Sequence, residues 1–377
     1  MTKKATLFNQ VTGPLFIDIA NAYAKEFDNV VLITGSIEPT SAQLDASIKV
    51  VMKCKYKRNK GYLRIYTWLL FFGQSFFYLL FKKSHGKLLF VSNPPLLPFL
   101  GSIFSARSKF DYDVLIYDVY PDALSNFGYI NEGSSLYRFW DRTNEKVYRR
   151  ATRVLTISNV MKQVVARTAQ KDKVEVIYPW VDITFIKPIE KEENWFVAKH
   201  CLLDKKVILY SGNMGITHDL MTVLKTAKDL SNSINNFHFL FIGDGAQKES
   251  LVKYKEDNKL NNVTFLPYQN PEVLPFSFAS ADFGIVSLGK GAEGLSVPSK
   301  TFYMLATGLA IISISKPDSE VSNLVQENNC GVSILPSDHE RLLEFLTSFN
   351  DGDLKKYKQN SRNLSNSFTH KNAYKFL

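Results

Sequence analysis

The sequence predicts an α/β protein of two domains in series, each a parallel sheet covered by helices. Three observations lead there. At 377 residues the chain exceeds the size at which one hydrophobic core stops growing, so two domains of ordinary size are expected. Apolar residues make up 45% and charged residues 22%, the composition of a folded globular protein. Short β-favouring runs alternate with helical patterns, and the alternation restarts once near residue 207, which implies parallel sheets buried on both faces.

In the first half, strands are expected at 5–8, 30–34, 47–52, 88–92, 114–117, 153–157 and 174–178, with helices at 15–27, 62–82, 136–150 and 158–169. The stretch 187–206 has Pro188, the charge cluster Glu190, Lys191, Glu192 and Glu193, and no sustained period. It is expected to link a first domain, 1–186, to a second, 207–377. In the second half, strands are expected at 207–211, 237–242, 263–266, 283–287, 309–315 and 331–335. Leu220, Val223, Leu224, Ala227 and Leu230 mark one face of a helix.

The formal net charge is +10, an excess that suits nucleic acid, phosphorylated small molecules or an anionic membrane surface. No recognised nucleic-acid-binding motif is present, so nucleic acid is not expected as a partner. Cys54, Cys201 and Cys330 are odd in number and far apart, which suggests neither a disulfide framework nor a zinc site, and no metal is expected. A reducing cytosol fits, and no secretory signal is read at the amino terminus.

Residues 65–81, IYTWLLFFGQSFFYLLF, carry no charge. Lys53, Lys55, Lys57, Arg58, Lys60 and Arg64 precede them; Lys82 and Lys83 follow. A spanning helix needs about 20 apolar residues, and Gly73, Gln74 and Ser75 interrupt this one. Two readings stay open: a packed domain helix, or a helix lying in a membrane interface with basic flanks toward anionic headgroups.

Ligands of open parallel sheets sit beyond the carboxyl ends of the strands. There the second half places Gly212-Asn213-Met214-Gly215, then Gly243-Asp244-Gly245, then Pro267-Tyr268-Gln269. After the 283–287 strand, ending at Ser287 and Leu288, comes a loop from Gly289 through Glu293 and Gly294 to Val297-Pro298-Ser299-Lys300. A Gly-x-x-Gly between strand and helix is often only a turn. It also lets a backbone approach an anion, with the following helix supplying free N–H groups. Glu293 reads equally as a solvated loop carboxylate. Lys300, a cation at a helix start, is better explained with an anion beside it.

The strings GNMGITHDL, FLFIGDGAQK, NVTFLPYQNPEVLP, ADFGIVSL and VPSKTFYMLATGLAII occur in this order, and the first half contains VSNPPLLPFLG, YDVYPDAL, VLTISNVM and VIYPWVD. In order and spacing they resemble the GT-B glycosyltransferases of family 4, nearest to the fucosaminyltransferase-like group of O-antigen and capsule assembly. The resemblance implies two Rossmann-like domains with parallel sheets facing a central cleft that holds a UDP-sugar, and it allows the last helix to cross back from the second domain onto the first. It implies transfer of an N-acetylated hexosamine or deoxyhexosamine to an undecaprenyl-type lipid-linked or polysaccharide acceptor, with retention and without a divalent metal or other cofactor. Tyr268-Gln269 would meet the base, and Gly212–Gly215 with Lys300 the diphosphate. The loop from Glu293 and Gly294 to Ser299 would meet the sugar or ribose. Gly243, Asp244, Gly245, Ser287 and Leu288 line the same strand ends. The location implied is the cytoplasmic face of the cell membrane, held peripherally.

Two positions depart from the commoner family pattern. Where a ribose-gripping glutamate is usual this chain has Tyr303, and the usual Arg and Lys of the diphosphate site fall near Asn213 and His218. Lys300 is left as the cation. In the first domain Asp118 reads either as a turn residue or as the group that orients or deprotonates the acceptor hydroxyl, ahead of Asp122. On the functional reading Gly13 and Pro14 would form a loop near the reacting carbon, and Asn93-Pro94-Pro95 would shape the acceptor entrance. A non-catalytic donor-binding subunit and a sugar-nucleotide epimerase on the same architecture are the rival readings.

Overall fold

The computed structural model describes residues 2–38, 42–57, 60–82, 86–108, 110–126, 128–231, 236–289 and 297–377. The chain divides into two compact units, Met1–Pro179 with His370–Leu377, and Trp180–Thr369.

The first unit contains strands β1 (Lys4–Phe8), β2 (Val11–Thr12), β3 (Asn29–Thr34), β4 (Ser36–Ile37), β5 (Lys49–Met52), β6 (Lys87–Val91), β7 (Tyr112–Ile116), β8 (Arg153–Thr156) and β9 (Val174–Val176). Its helices are α1 (Pro14–Glu26), α2 (Gly61–Phe81), α3 (Phe99–Ser108), α4 (Asp122–Asn126), α5 (Ser135–Arg150) and α6 (Asn159–Val165). The main sheet is parallel in the order β5-β3-β1-β6-β7-β8-β9, and β2 pairs with β4 beside it. Leu7, Phe8, Leu32, Leu89, Phe90, Val114 and Leu115 are all buried, the apolar saturation of a sheet covered on both faces. Phe8 stacks on Phe90 with centroids 4.7 Å apart. The strand order reverses between β1 and β6, where a doubly wound sheet opens a crevice at its carboxyl edge.

The second unit contains α7 (Trp195–Lys199), β10 (Lys206–Ser211), α8 (Met221–Asp229), β11 (Phe237–Ile242), α9 (Lys248–Asp257), β12 (Val263–Leu266), α10 (Leu274–Ala279), β13 (Phe283–Ser287), α11 (Lys300–Ala306), β14 (Ala310–Ile314), α12 (Glu320–Glu327), β15 (Gly331–Ile334), α13 (His339–Ser348) and α14 (Asp351–Ser365). Its sheet is parallel, ordered β12-β11-β10-β13-β14-β15, and reverses between β10 and β13. Tyr210, Phe239, Phe241, Phe283 and Ile312 form its core with Leu224 and Leu251 of the covering helices.

Two segments differ from expectation. The stretch expected as a linker, 187–206, folds with the second unit, because Phe196 and Val197 of α7 are buried and Trp195 packs on Phe276 at 5.5 Å. Helix α6 stops at Val165 instead of continuing to 169, its end tightening as the Arg167 N–H donates to the Val164 carbonyl at 3.2 Å. The crossing back that the resemblance allowed does occur in the last residues: His370–Leu377 join the first unit, where the buried Tyr23 hydroxyl of α1 donates to the Phe376 carbonyl at 2.8 Å.

Candidate functional site

The carboxyl edge of the second sheet is assembled by backbone contact between successive strand ends. The Gly212 N–H donates to the Ile242 carbonyl at 2.7 Å and the Gly243 N–H to the Leu266 carbonyl at 2.9 Å. Both glycines have positive φ, 132° and 140°, and a Cβ at Gly243 would lie 2.0 Å from the Gly212 carbonyl oxygen. Glycine is required at both. The Met214 N–H then donates to the Asp244 carbonyl at 2.7 Å, and a Cβ at Gly245 would meet Met214 backbone. Gln247 ties the loop from outside, donating to the Gly215 carbonyl and, at 2.7 Å, to that of His218.

Lys300, the first residue of α11, reaches back over this loop. A Cβ at Gly212 would lie 2.0 Å from its Nζ, and the ammonium stands 4.8 Å from the centroid of the Tyr210 ring. No carboxylate pairs with it among the described residues. Burial pushes its pKa down to about 8. An unpaired, half-buried cation beside a glycine backbone is costly to solvate and favours an anionic ligand. The backbone N–H groups of Asn213 and Gly215 take no partner among the described residues, which leaves them open to a ligand at this loop.

The Tyr210 hydroxyl lies 2.5 Å from the Asn213 carbonyl and 2.6 Å from His218 Nδ1. Burial, then the Lys300 charge, lowers the His218 pKa. The Asn213 side-chain amide folds back over Gly215, within 2.8 Å of where a Cβ would stand there.

The glycine pair is not the start of the next helix, as its sequence suggested. Helix α8 begins at Met221, and Asp219 caps it, accepting from the Thr222 N–H at 3.3 Å and hydroxyl at 2.7 Å. A carboxylate already occupies that helix end, so the anion-binding capacity rests on the loop and Lys300.

The remaining predicted residues fall around this edge. Tyr268 is exposed and its hydroxyl donates to the Asp244 carbonyl at 3.4 Å; the Gln269 amide turns back to the Pro267 carbonyl at 2.7 Å. Ser287 and Leu288 are buried in the wall: Ser287 Oγ accepts the Asp219 N–H at 2.8 Å and the Leu288 N–H bonds the Ile314 carbonyl at 3.0 Å. Val297 is buried, Pro298 is half-buried, and the Pro298 carbonyl takes the Thr301 N–H at 3.0 Å; Ser299 is exposed ahead of α11. Glu293 and Gly294 lie outside the described residues. Tyr303 stacks on Phe278 at 5.5 Å, which makes it a packing residue and no substitute for a carboxylate. Sequence reasoning missed Tyr210, Asp219 and Gln247, which shape the loop without belonging to a glycine motif.

In the first unit, Asp118 follows β7 and is exposed, its N–H 3.4 Å and that of Tyr117 3.0 Å from Ser92 Oγ. It lines a narrow recess with Ser92, Tyr120 and Asn144. Asp122 is engaged instead, accepting from the Tyr137 hydroxyl at 3.2 Å, and burial raises its pKa. Gly13, Pro14 and Asn93 line a much larger cleft, about 990 Å³, at the point where the sheet order reverses.

Comparison with known proteins agrees with the fold. A solved structure of Anabaena HepE in complex with UDP and glucose superposes with a TM-score of 0.71 over 99% of this chain and 98% of that one, at 14% identity. The fold is therefore GT-B. Residues 191–364, within the second unit, match the family described as glycosyl transferases group 1. A Pseudomonas aeruginosa protein named as a glycosyltransferase, WbjE, is 25% identical over 264 residues, 70% of this chain and 66% of that protein. An Escherichia coli K12 protein named as a colanic acid biosynthesis glycosyl transferase, WcaI, is 31% identical over 123 residues, 33% of this chain and 30% of that protein. The matched regions thus span less than two thirds of these relatives' length.

Proposed function

We propose that the chain is a metal-independent, retaining glycosyltransferase that moves a sugar from a UDP-sugar to a lipid-linked or polysaccharide acceptor in bacterial surface polysaccharide assembly. The observation that carries this reading is the Lys300 ammonium, unpaired among the described residues and set against Gly212 of a loop whose Asn213 and Gly215 N–H groups take no partner there. A departing diphosphate develops negative charge, and a preorganised cation with backbone donors neutralises it. In front-face retention the bond from the anomeric carbon to the diphosphate oxygen breaks while the acceptor oxygen bonds from the same face. Asp118 accepts the proton of the acceptor hydroxyl as the new bond forms and hands it on to the departing phosphate. A UDP donor is supported by the likeness to HepE, and an N-acetylated hexosamine or deoxyhexosamine by the motif resemblance to the fucosaminyltransferase-like group.

A peripheral place on the cytoplasmic face of the membrane is supported by α2. Tyr62, Tyr66, Leu69, Phe77, Leu80 and Phe81 are exposed along it, while Thr67, Phe71, Ser75 and Leu79 face the unit. No helix among the described residues is long and apolar enough to cross a membrane, so α2 would lie in the interface.

Thermal-shift screening of UDP-, GDP- and TDP-sugars against the wild type and Lys300→Ala tests the reading. Stabilisation by a UDP-sugar that is lost in the variant supports it; undiminished stabilisation in the variant removes its main contact. A UDP-sugar bound but never turned over with any acceptor would instead favour a donor-binding subunit.

A further inference from the structure

Asp118 is exposed in the turn between β7 and α4. Helix α4 is only five residues long, so no long element follows to hold that turn. Its anchors come from three neighbouring elements instead. Ser92, just past β6, takes the Tyr117 and Asp118 N–H groups on its Oγ, and its own N–H is fixed to the Leu115 carbonyl at 2.8 Å. Asn144 of α5 reaches across the unit, its amide donating to the Tyr120 carbonyl at 2.5 Å. The Tyr120 ring meets two tryptophans: it stacks on Trp140 of α5 with centroids 5.8 Å apart, and it stands edge-on to Trp68 of α2 at 6.4 Å.

Trp68 is itself fixed. The Tyr56 ring lies parallel to it at 6.0 Å, and the Arg64 guanidinium stands 5.4 Å from its ring centroid. Tyr56, Trp68, Tyr120 and Trp140 thus form one row of touching rings that runs from α2 to α5. Burial, then the Asp118 charge, pushes the Tyr120 hydroxyl up to about 12, and the Arg64 charge opposes the rise. The Asp118 carboxylate therefore lies within electrostatic reach of the ring that the row holds. Packing accounts for the row of rings but not for the Asn144 bond. A helix residue whose amide goes to a loop carbonyl 24 positions away fixes a backbone, not a core.

We propose that Tyr120 and Asn144 are positioning residues for Asp118. Asn144 fixes the turn through its backbone, and Trp68 and Trp140 fix it through the Tyr120 ring, so the carboxylate stands at one place when an acceptor hydroxyl arrives. Misplacing a reacting group by about 1 Å costs about 10² in rate, and an exposed carboxylate on an unanchored turn would suffer that loss. The inference rests on the transferase reading above, in which Asp118 takes the acceptor proton.

Two measurements on the full chain test it. The first is transfer kinetics with UDP-N-acetylglucosamine as donor and a monosaccharide on a short polyprenyl diphosphate as acceptor. Asn144→Ala and Tyr120→Leu should each lower kcat by about 10²-fold while both KM values hold within about twofold. Tyr120→Phe keeps the ring and should stay within about threefold of wild type. In an Asp118→Asn background Asn144→Ala and Tyr120→Leu should cost no more than about twofold, because no carboxylate is left to misplace. Equal losses in both backgrounds, losses in KM alone, or a Tyr120→Phe loss as large as that of Tyr120→Leu overturn the inference. The second measurement is the carbon-13 resonance of the Asp118 carboxyl in protein carrying labelled aspartate, identified by its disappearance in Asp118→Asn. It should be a single sharp line in the wild type and in Tyr120→Phe, and should shift or broaden in Asn144→Ala and Tyr120→Leu. A line unmoved by either substitution overturns the inference whether or not sugar is transferred. No transfer by the wild type, with the line behaving as expected, overturns the transferase reading and leaves the positioning of the carboxylate standing.

Discussion

The Tyr210 hydroxyl and His218 Nδ1 lie 2.6 Å apart, and this bond sets the charge that the loop carries. The hydroxyl also faces the Asn213 carbonyl at 2.5 Å, an atom that can only accept, so the phenolic proton goes there and His218 Nδ1 carries its own. With its pKa lowered by burial, His218 is neutral near pH 7. Among the described residues of the loop and its surround, Lys300 then supplies the cation. Tyr210→Phe should leave the Asn213 carbonyl unpaired, lower stability by about 1–2 kcal/mol and raise the KM for donor roughly three- to tenfold. An unchanged donor KM with an unchanged melting temperature would contradict this role.

Donor binding should depend on pH through Lys300. Its pKa in the free protein is about 8, and a bound diphosphate favours the charged form and raises it. The charged form is fully present below about pH 8 and is lost above it, so affinity for UDP should be flat below that point and fall by up to about tenfold per pH unit above it. Lys300→Arg should abolish the fall, because the guanidinium stays charged. A profile that falls equally in both proteins would assign the titration elsewhere.

Gly212→Ala should act on the same contact by sterics. The new methyl would meet Nζ at 2.0 Å at a backbone with φ of 132°, so the lysine must move and the loop is strained. A loss of donor kcat/KM of tenfold or more, on the order of 1.4 kcal/mol, is expected with little change in acceptor binding. Steady-state kinetics against both substrates measures the split.

Asp118→Asn should separate chemistry from binding. Donor affinity is expected to hold within about twofold while kcat falls by about 10²–10⁴, the range of a general base. Single-turnover transfer measured with saturating donor reads this directly. A kcat within a fewfold of wild type would return Asp118 to the role of a strand-end turn residue.

On α2, Leu69→Glu with Phe77→Glu should abolish flotation with anionic vesicles and leave the melting temperature nearly unchanged, since both side chains are exposed, 61% and 56%. A large thermal destabilisation would mean that this face is packed in the working protein.

The sheets were legible in the sequence because their strands are continuous apolar runs bounded by glycine and polar residues, as Val207–Ser211 followed by Gly212 illustrates. Strand ends in a parallel sheet converge, so Gly212, Gly243 and Lys300 could be placed together before any coordinates. What escaped was contact between residues with no periodic signature. Tyr210 reads as an ordinary strand aromatic, and nothing in its spacing announces the hydroxyl bond to His218. Asn9 reads as the polar residue that follows a strand, and only its burial reveals an Oδ1 with no partner among the described residues. Helix α7 was hidden by the charged run before it, since a five-residue helix is too short for a period.

The return of His370–Leu377 to the first unit also bears on synthesis. Residues Trp180–Thr369, the whole second unit, must leave the ribosome before the Phe376 carbonyl can reach Tyr23. At ~5–20 residues per second that is a wait of about 10–40 s, during which α1 lacks part of its cover. The first unit to be made is thus the last to be finished, and a nascent chain stalled before residue 370 would present an open flank on α1 for a chaperone or a protease to find.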